Sequence, residues 1–314
     1  MSSRRFRYFV AVAQELHVGR AAERLGIAQP ALTQQIRVLE AELGVRLVRR
    51  AGRGIVLTEA GTALLPEALG VLEQEERATA VARRAARGEI GTLNIGYVST
   101  AMLEPELPAL LSAFRQMVPD AAIHLEETAV QDQLVALEQQ RLDVGIVREP
   151  TGPLPASLRM LPFLRGRLLA AVPAELAGRL QEPVRLRDLA DCTFVTLRDP
   201  HGLGLGHSVW SLCVQAGFSP RISLQVNNVV SVLGLVAAGF GVSLVPAALR
   251  RVEMPGMVLL EVEGEGACTG LAILHRSTDR SSLKQRFLEL TLSGRMRRKP
   301  GSNASGLRTI IGGS

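Results

Sequence analysis

The chain has 314 residues, enough for two or three folded units. Hydrophobic residues make up 47% and charged residues 21%, which excludes a chain disordered throughout. The net charge is +6: residues 1–90 hold 14 Arg and 10 Glu, residues 91–294 hold 17 basic and 20 acidic groups, and residues 295–314 hold five basic groups and no acid. Basic ends on a mildly acidic middle point to a polyanion or an anionic surface as partner. Cys192, Cys213 and Cys268 are odd in number and lack CxxC spacing. Neither a disulfide framework nor a cysteine zinc site is expected, and they read as small core residues in a reducing compartment.

From the start, Phe6, Phe9, Val10, Ala13 and Leu16 recur at spacings of three and four, which predicts a helix with those residues inward. A second helix is predicted from Val18 to Leu25, with small Ala21 and Ala22 where a neighbour approaches. Gly26 then supplies a stop, and Pro30 suits the first turn of a third helix, where a missing N–H costs nothing. Helix, short Gly-containing turn, helix is the helix-turn-helix spacing. In the third helix Leu32, Ile36, Leu39 and Leu43 fall within about 60° of one another. Pro30, Thr33, Gln34 and Arg37 fall on the opposite side, with Gln29 on the flank. Gln and Thr read base edges, and Arg binds guanine edges or phosphate.

Val45–Arg50 and Ile55–Leu57 predict two short strands around the basic turn Ala51-Gly52-Arg53-Gly54, a β-hairpin wing. Arg49, Arg50 and Arg53 would lie near a sugar–phosphate backbone, where contacts position rather than specify. Thr58 is placed to cap a long helix running to about Arg87, with Leu64, Leu65, Leu69 and Leu72 buried.

These residues carry a family resemblance. The runs Phe9–Ala13, Arg20–Leu25, Gln29–Ile36, Leu39-Glu40, Leu43–Leu47 and Leu57–Gly61 resemble, in unbroken order, the DNA-binding domain of LysR-type transcriptional regulators. The resemblance implies double-stranded DNA as partner, with base-reading positions at Gln29, Pro30, Thr33, Gln34 and Arg37. It implies that the long helix is a dimerisation linker, in a homodimer or homotetramer, and RNA polymerase is a further candidate partner. Ala28 departs from the Ser or Thr usual in the family. It cannot cap the third helix, so either that end is weaker or Gln29 compensates.

From Gly91 the pattern changes. Strands are predicted at Thr92–Val98, Ala121–Glu126 and Asp143–Val147, with helices at about Met102–Met117 and Val130–Gln139. Further strands are predicted at Arg167–Val172, Thr193–Leu197, Arg221–Gln225, Gly241–Val245 and Leu271–His275. Repeated βα units predict a parallel sheet. The stretch Ile222–Leu249 holds no charged residue, but its changes of period fit a strand, a helix and a buried strand better than a bilayer span. Strand ends carry candidate ligand groups: Ser99 and Thr100, Thr128, Arg148, and, after Leu197, Arg198, Pro200, His201 and Gly202. Ser99 and Thr128 either bind a ligand or cap helices. Arg148 either meets the ligand's charge or holds an internal pair with a nearby Glu.

The resemblance implies an α+β multidomain chain: a winged helix-turn-helix over 1–58, a linker helix over 59–90 and an effector domain over 91–294. That domain would be a two-lobed α/β unit like a periplasmic binding protein, with lobe one at 91–162 and 270–294 and lobe two at 163–269. Ser99, Thr128 and Pro200–Gly202 would line a cleft for a small organic or aromatic acid. The tail over 295–314, rich in Gly and Ser, is expected to be disordered rather than membrane-bound. Arg4, Arg5 and Arg7 interleave with Phe6 and Tyr8, so no secretory signal is expected, and the protein reads as cytoplasmic. No enzyme constellation emerges. The His201–His207 run lacks GxGxxG spacing, Ser243 lacks a nucleophile elbow, and neither a metal nor another cofactor is expected.

Overall fold

The computed structural model describes residues 2–52, 54–149, 152–199 and 202–296. Arg53, Pro200, His201 and the tail from residue 297 therefore lie outside the described residues. The chain divides after Ala86 into two compact units.

The first unit holds α1 (Ser3–Glu15), α2 (Val18–Leu25), α3 (Gln29–Leu43), β1 (Val48–Ala51), β2 (Gly54–Leu57) and α4 (Glu59–Ala86). Its core is Phe9, Val12, Ala21, Ala22, Leu32, Ile36 and Leu39, so the apolar stripes of α1 and α3 meet over the small face of α2. Leu16, expected inward, is exposed because it ends α1 in the left-handed region at φ 49°. Its carbonyl accepts from Ile55 N–H at 3.0 Å, which ties the hairpin to α1. Glu40 lies on the apolar stripe of α3 and is buried. Its carboxylate accepts from Leu47 N–H at 2.8 Å and from Arg46 Nη1 at 2.9 Å, fixing the chain that enters β1. Thr58 caps α4 as expected, accepting from Gly61 N–H at 3.0 Å. Gly61 is required there, since a Cβ would stand 2.1 Å from the Leu47 carbonyl oxygen. Leu69 is exposed rather than buried, and only Gly61 and Ala68 of α4 are buried within this chain.

The second unit continues with β3 (Ile90–Tyr97), α5 (Glu106–Met117), β4 (Asp120–Glu127), α6 (Val130–Glu138), β5 (Val144–Arg148), β6 (Leu158–Pro173) and α7 (Ala174–Ala177). Then come β7 (Thr193–Leu197), α8 (Gly204–Gln215), β8 (Arg221–Val226), α9 (Val229–Ala237), β9 (Ser243–Pro246), β10 (Met257–Glu261), β11 (Cys268–Arg276) and α10 (Ser282–Met296). Two lobes share one long strand. In lobe one β3 pairs parallel with β4 and β5, and β11 pairs antiparallel with β5 and with the first half of β6. In lobe two the second half of β6 pairs antiparallel with β9 and β10, and β7 pairs parallel with β8. The sheets are therefore mixed, not purely parallel, because β6 and β11 carry the chain between lobes against the βα strands. The partner of β6 changes between Arg167 and Leu168.

Lobe one packs around Leu93, Ile95, Phe114, Ile146, Leu271 and Phe287, with Phe114 edge-on to Phe287 at 5.1 Å. Lobe two packs around Leu168, Val172, Phe194, Val209, Cys213 and Leu244. Cys213 is the small core residue expected, and burial pushes its thiol up to about 12. Cys192 and Cys268 are only partly buried, and Cys268 accepts from Arg165 Nε at 3.1 Å. Among the described residues no helix is long and apolar enough to cross a membrane.

Candidate DNA-reading face and ligand cleft

The sequence positions the polar face of α3 by what it buries on the other side. With Leu32 and Leu39 sealed in the core, Gln29, Pro30, Gln34 and Arg37 stand exposed and Thr33 half-exposed along the opposite side. Thr33 Oγ1 donates to the Gln29 carbonyl at 2.9 Å, so its hydrogen is used within the helix. Ala28 makes no side-chain cap, and Gln29 is already inside the helix. That end is held by Pro30 and by backbone bonding alone. In the hairpin Arg49 faces Val56 and Arg50 faces Ile55, and both arginines are exposed. Gly52 turns the hairpin at φ 58°.

In the second unit the parallel register places two hydroxyls side by side. Tyr97 pairs with Glu127, so Thr128 and Ser99 leave neighbouring strands just past the last pair. Neither hydroxyl caps a helix. The 3-10 turn Ser99–Leu103 starts from Val98 and α6 from Ala129, both without a side-chain cap. Gln133, fully buried and missed by the sequence reading, donates from Nε2 to the Thr128 carbonyl at 2.9 Å and so holds that strand end in place. The signal was present, since Gln133 occupies the apolar face of α6 between Val130 and Ala136.

Arg148 ends β5 beside them but does not face the cleft. It is 1% exposed, with Nε donating to Thr100 Oγ1 at 3.0 Å and Nη2 to Glu104 Oε1 at 3.2 Å. Of the two roles expected for it, the internal pair is the one the fold builds, and Thr100 is taken up with it. Burial is the largest influence on both partners, pushing Glu104 above the usual carboxylate range and Arg148 below its ordinary value. Arg148 Nη1 is buried with no hydrogen-bond partner.

On lobe two, Gly202 precedes α8 with φ 84° and faces open space. Asp199, also missed by the sequence reading, accepts from Gly206 N–H at 2.8 Å and shapes the entry to α8. The lobes meet beside the cleft. Ser208 Oγ of α8 donates to the Glu149 carbonyl at 3.0 Å, and a Cβ at Gly152 would come within 3.0 Å of Leu203. Among the described residues no group of three or more His, Cys, Asp or Glu is placed to hold a metal ion.

The family model for the LysR substrate binding domain matches residues 86–294, and that for bacterial regulatory helix-turn-helix proteins of the lysR family matches residues 3–62. The chain is 36% identical to the HTH-type transcriptional regulator TfdS of Cupriavidus pinatubonensis (strain JMP 134 / LMG 1197), over 94% of this chain and 99% of that protein. It is 38% identical to the HTH-type transcriptional regulator YnfL of Escherichia coli (strain K12), over 84% and 88% respectively. Among solved structures, full-length CbnR in complex with its target DNA superposes with a TM-score of 0.79 at 30% identity, covering 93% of this chain and 99% of that one. The first of these models falls on the two-lobed unit and the second on the helix-turn-helix. The chain therefore belongs to the LysR family and is a DNA-binding regulator of transcription, not an enzyme.

Proposed function

We propose that Gln29, Pro30, Thr33, Gln34 and Arg37 read base edges, that Arg49, Arg50 and Arg53 hold the phosphate backbone, and that a small organic acid in the cleft controls the regulator. We place the protein in the cytoplasm, with the winged helix-turn-helix over 1–58 and α4 as the contact between two copies. The exposure of Leu69, Val71 and Val81 supports that use of α4, because such a helix buries little within its own chain. One observation carries the ligand reading: the hydroxyls of Ser99 and Thr128, on adjacent strand ends, cap no helix and make no hydrogen bond among the described residues. Their hydroxyls, with the first-turn N–H groups of α6, suit a carboxylate without an exposed arginine.

A thermal-shift screen of small organic acids tests this, since a ligand at 100 times its Kd should add about 2.7 kcal/mol. Ser99→Ala with Thr128→Val should abolish the shift and leave operator binding intact. A hit that binds the double variant with unaltered affinity would move the site elsewhere. On DNA, Gln29→Ala should cost about 1–3 kcal/mol on the operator and little on random sequence. Arg50→Ala should weaken both alike and lower the salt slope by roughly one per lost phosphate contact. The reverse pattern would exchange the two roles.

A further inference from the structure

The side of lobe two turned away from the cleft carries a second pocket. Ser208 faces lobe one through its bond to Glu149. Trp210 lies about 200° further round α8, and His207 and Val214 share its side. There α8, the end of β7 and the edge strand β8 bound a pocket of about 100 Å³, lined by Thr196, Asp199, His207, Trp210, Ile222 and Gln225 among others. Ser99, Thr128 and Gly202 do not border it.

Thr196 points to a ligand independently of the pocket's shape. It is 3% exposed, and its Oγ1 is buried with no hydrogen-bond partner. The same residue borders a space of about 10 Å³ between α8, α9 and β9, room for at most one water. A larger guest fits only the outer pocket, which Thr196 also borders. The walls set its chemistry. Ile222 and the indole of Trp210 are apolar, and the His207 ring stacks on Trp210 with centroids 5.6 Å apart. Burial raises the Asp199 carboxyl above its usual range, offset only in part by the N–H groups of Gly206 and Leu205. A ligand carboxylate would sit beside an anion already short of solvation, so the pocket disfavours acids.

We propose that this pocket is a second binding site, separate from the cleft, for a small uncharged aromatic alcohol, its ring against Trp210 and Ile222 and its hydroxyl bonded to Thr196 Oγ1.

Trp210 is the single tryptophan of the chain, so its fluorescence, excited where phenol does not absorb, reports on the pocket in the full-length protein. Phenol should give a saturable change that benzoate does not compete away. Toluene, lacking the hydroxyl, should bind roughly fivefold more weakly, the worth of one neutral hydrogen bond. Thr196→Val should bring phenol down to the level of toluene, and, since its hydroxyl has no partner, should fold at least as well as the wild type. An unsaturable response to phenol, equal affinity for phenol and toluene in the wild type, or benzoate competing as well as phenol would each overturn the proposal. The phenol and toluene comparison needs no variant, so the test stands even where Thr196→Val is unstable.

Discussion

Removing one member of the Arg148–Glu104 pair should damage the effector unit far more than removing both. Arg148 is 1% exposed and Glu104 8%, with Nη2 3.2 Å from Oε1. Two unit charges at that distance attract by about 5 kcal/mol at an effective dielectric of about 20. Desolvation of two buried ions cancels much of this, and the opposed pKa directions of the partners show burial prevailing over their attraction. The pair is near break-even, but either half alone is a stranded charge. Arg148→Met should cost about 3–5 kcal/mol. Arg148→Met with Glu104→Leu should return to within about 2 kcal/mol of the wild type. Urea unfolding followed by Trp210 fluorescence measures both, with m-values compared to guard against a changed unfolded state. A double variant that costs the sum of the two singles would refute the reasoning. The pH dependence follows from the raised carboxyl of Glu104. Its contribution is full below the unfolded value of about 4.3 and is lost as pH rises through the folded one. Glu104→Gln should remove that loss.

Gly61→Ala should destabilise the first unit by about 1–3 kcal/mol or more, because its Cβ would meet the Leu47 oxygen at 2.1 Å; an unchanged urea midpoint would contradict the packing. Gly145→Ala places a Cβ 2.9 Å from Gln133 Oε1 and should displace the side chain that holds the Thr128 carbonyl. A weaker effector response, read by thermal shift, is expected, and a wild-type response counts against Gln133 as the support. Burial would raise the Asp279 carboxyl, but Ser281 N–H, Lys284 and Arg276 outweigh it and hold it below the usual range. Its contribution is present above the unfolded value of about 3.9 and lost as pH falls through the folded one. In Asp279→Asn, Tm should fall less steeply on acidification, and an unchanged acid limb would remove Asp279 from the account.

What the sequence made legible was local. The stripe Leu32, Ile36, Leu39 and the cap at Thr58 depend on neighbours within a few residues, and both appear as read. The charge-free stretch from Ile222 likewise resolved into β8, α9 and β9. Arg148 shows where local reading stops. Its strand end suited a ligand, and only folding brings up Glu104, 44 residues earlier in the chain, to close on it. The first half of β6 was missed because Leu158–Arg167 holds Pro162 and three arginines and keeps no steady alternation. A strand that changes partner midway, opposite an irregular register at Leu271/Ala272, has no single face to advertise. Leu69 was read as buried for a related reason. Its position on α4 is apolar by pattern, and a pattern cannot say which chain covers it.

With a ligand at Ser99, as proposed above, the turn Ser99–Leu103 would be a route from ligand to lobe. Its first residue, Ser99, carries one of the hydroxyls proposed to bind the ligand, and its second, Thr100, is fastened to the buried guanidinium of Arg148. Its last, Leu103, packs on the core of lobe two beside Val195, Val229 and Leu249. On that proposal five residues join the ligand, the interior of lobe one and the core of lobe two. A ligand biases closure only through contacts that differ between open and closed lobes. One held at Ser99 would act on the segment whose far end already rests on the other lobe. Rigidity of that segment then matters as much as affinity at Ser99, because a loose turn would absorb the ligand's pull instead of passing it on. If the effector sits at Ser99 as proposed, the buried pair at Arg148 would serve the switch by stiffening the turn, since its guanidinium is taken up by Thr100 and Glu104.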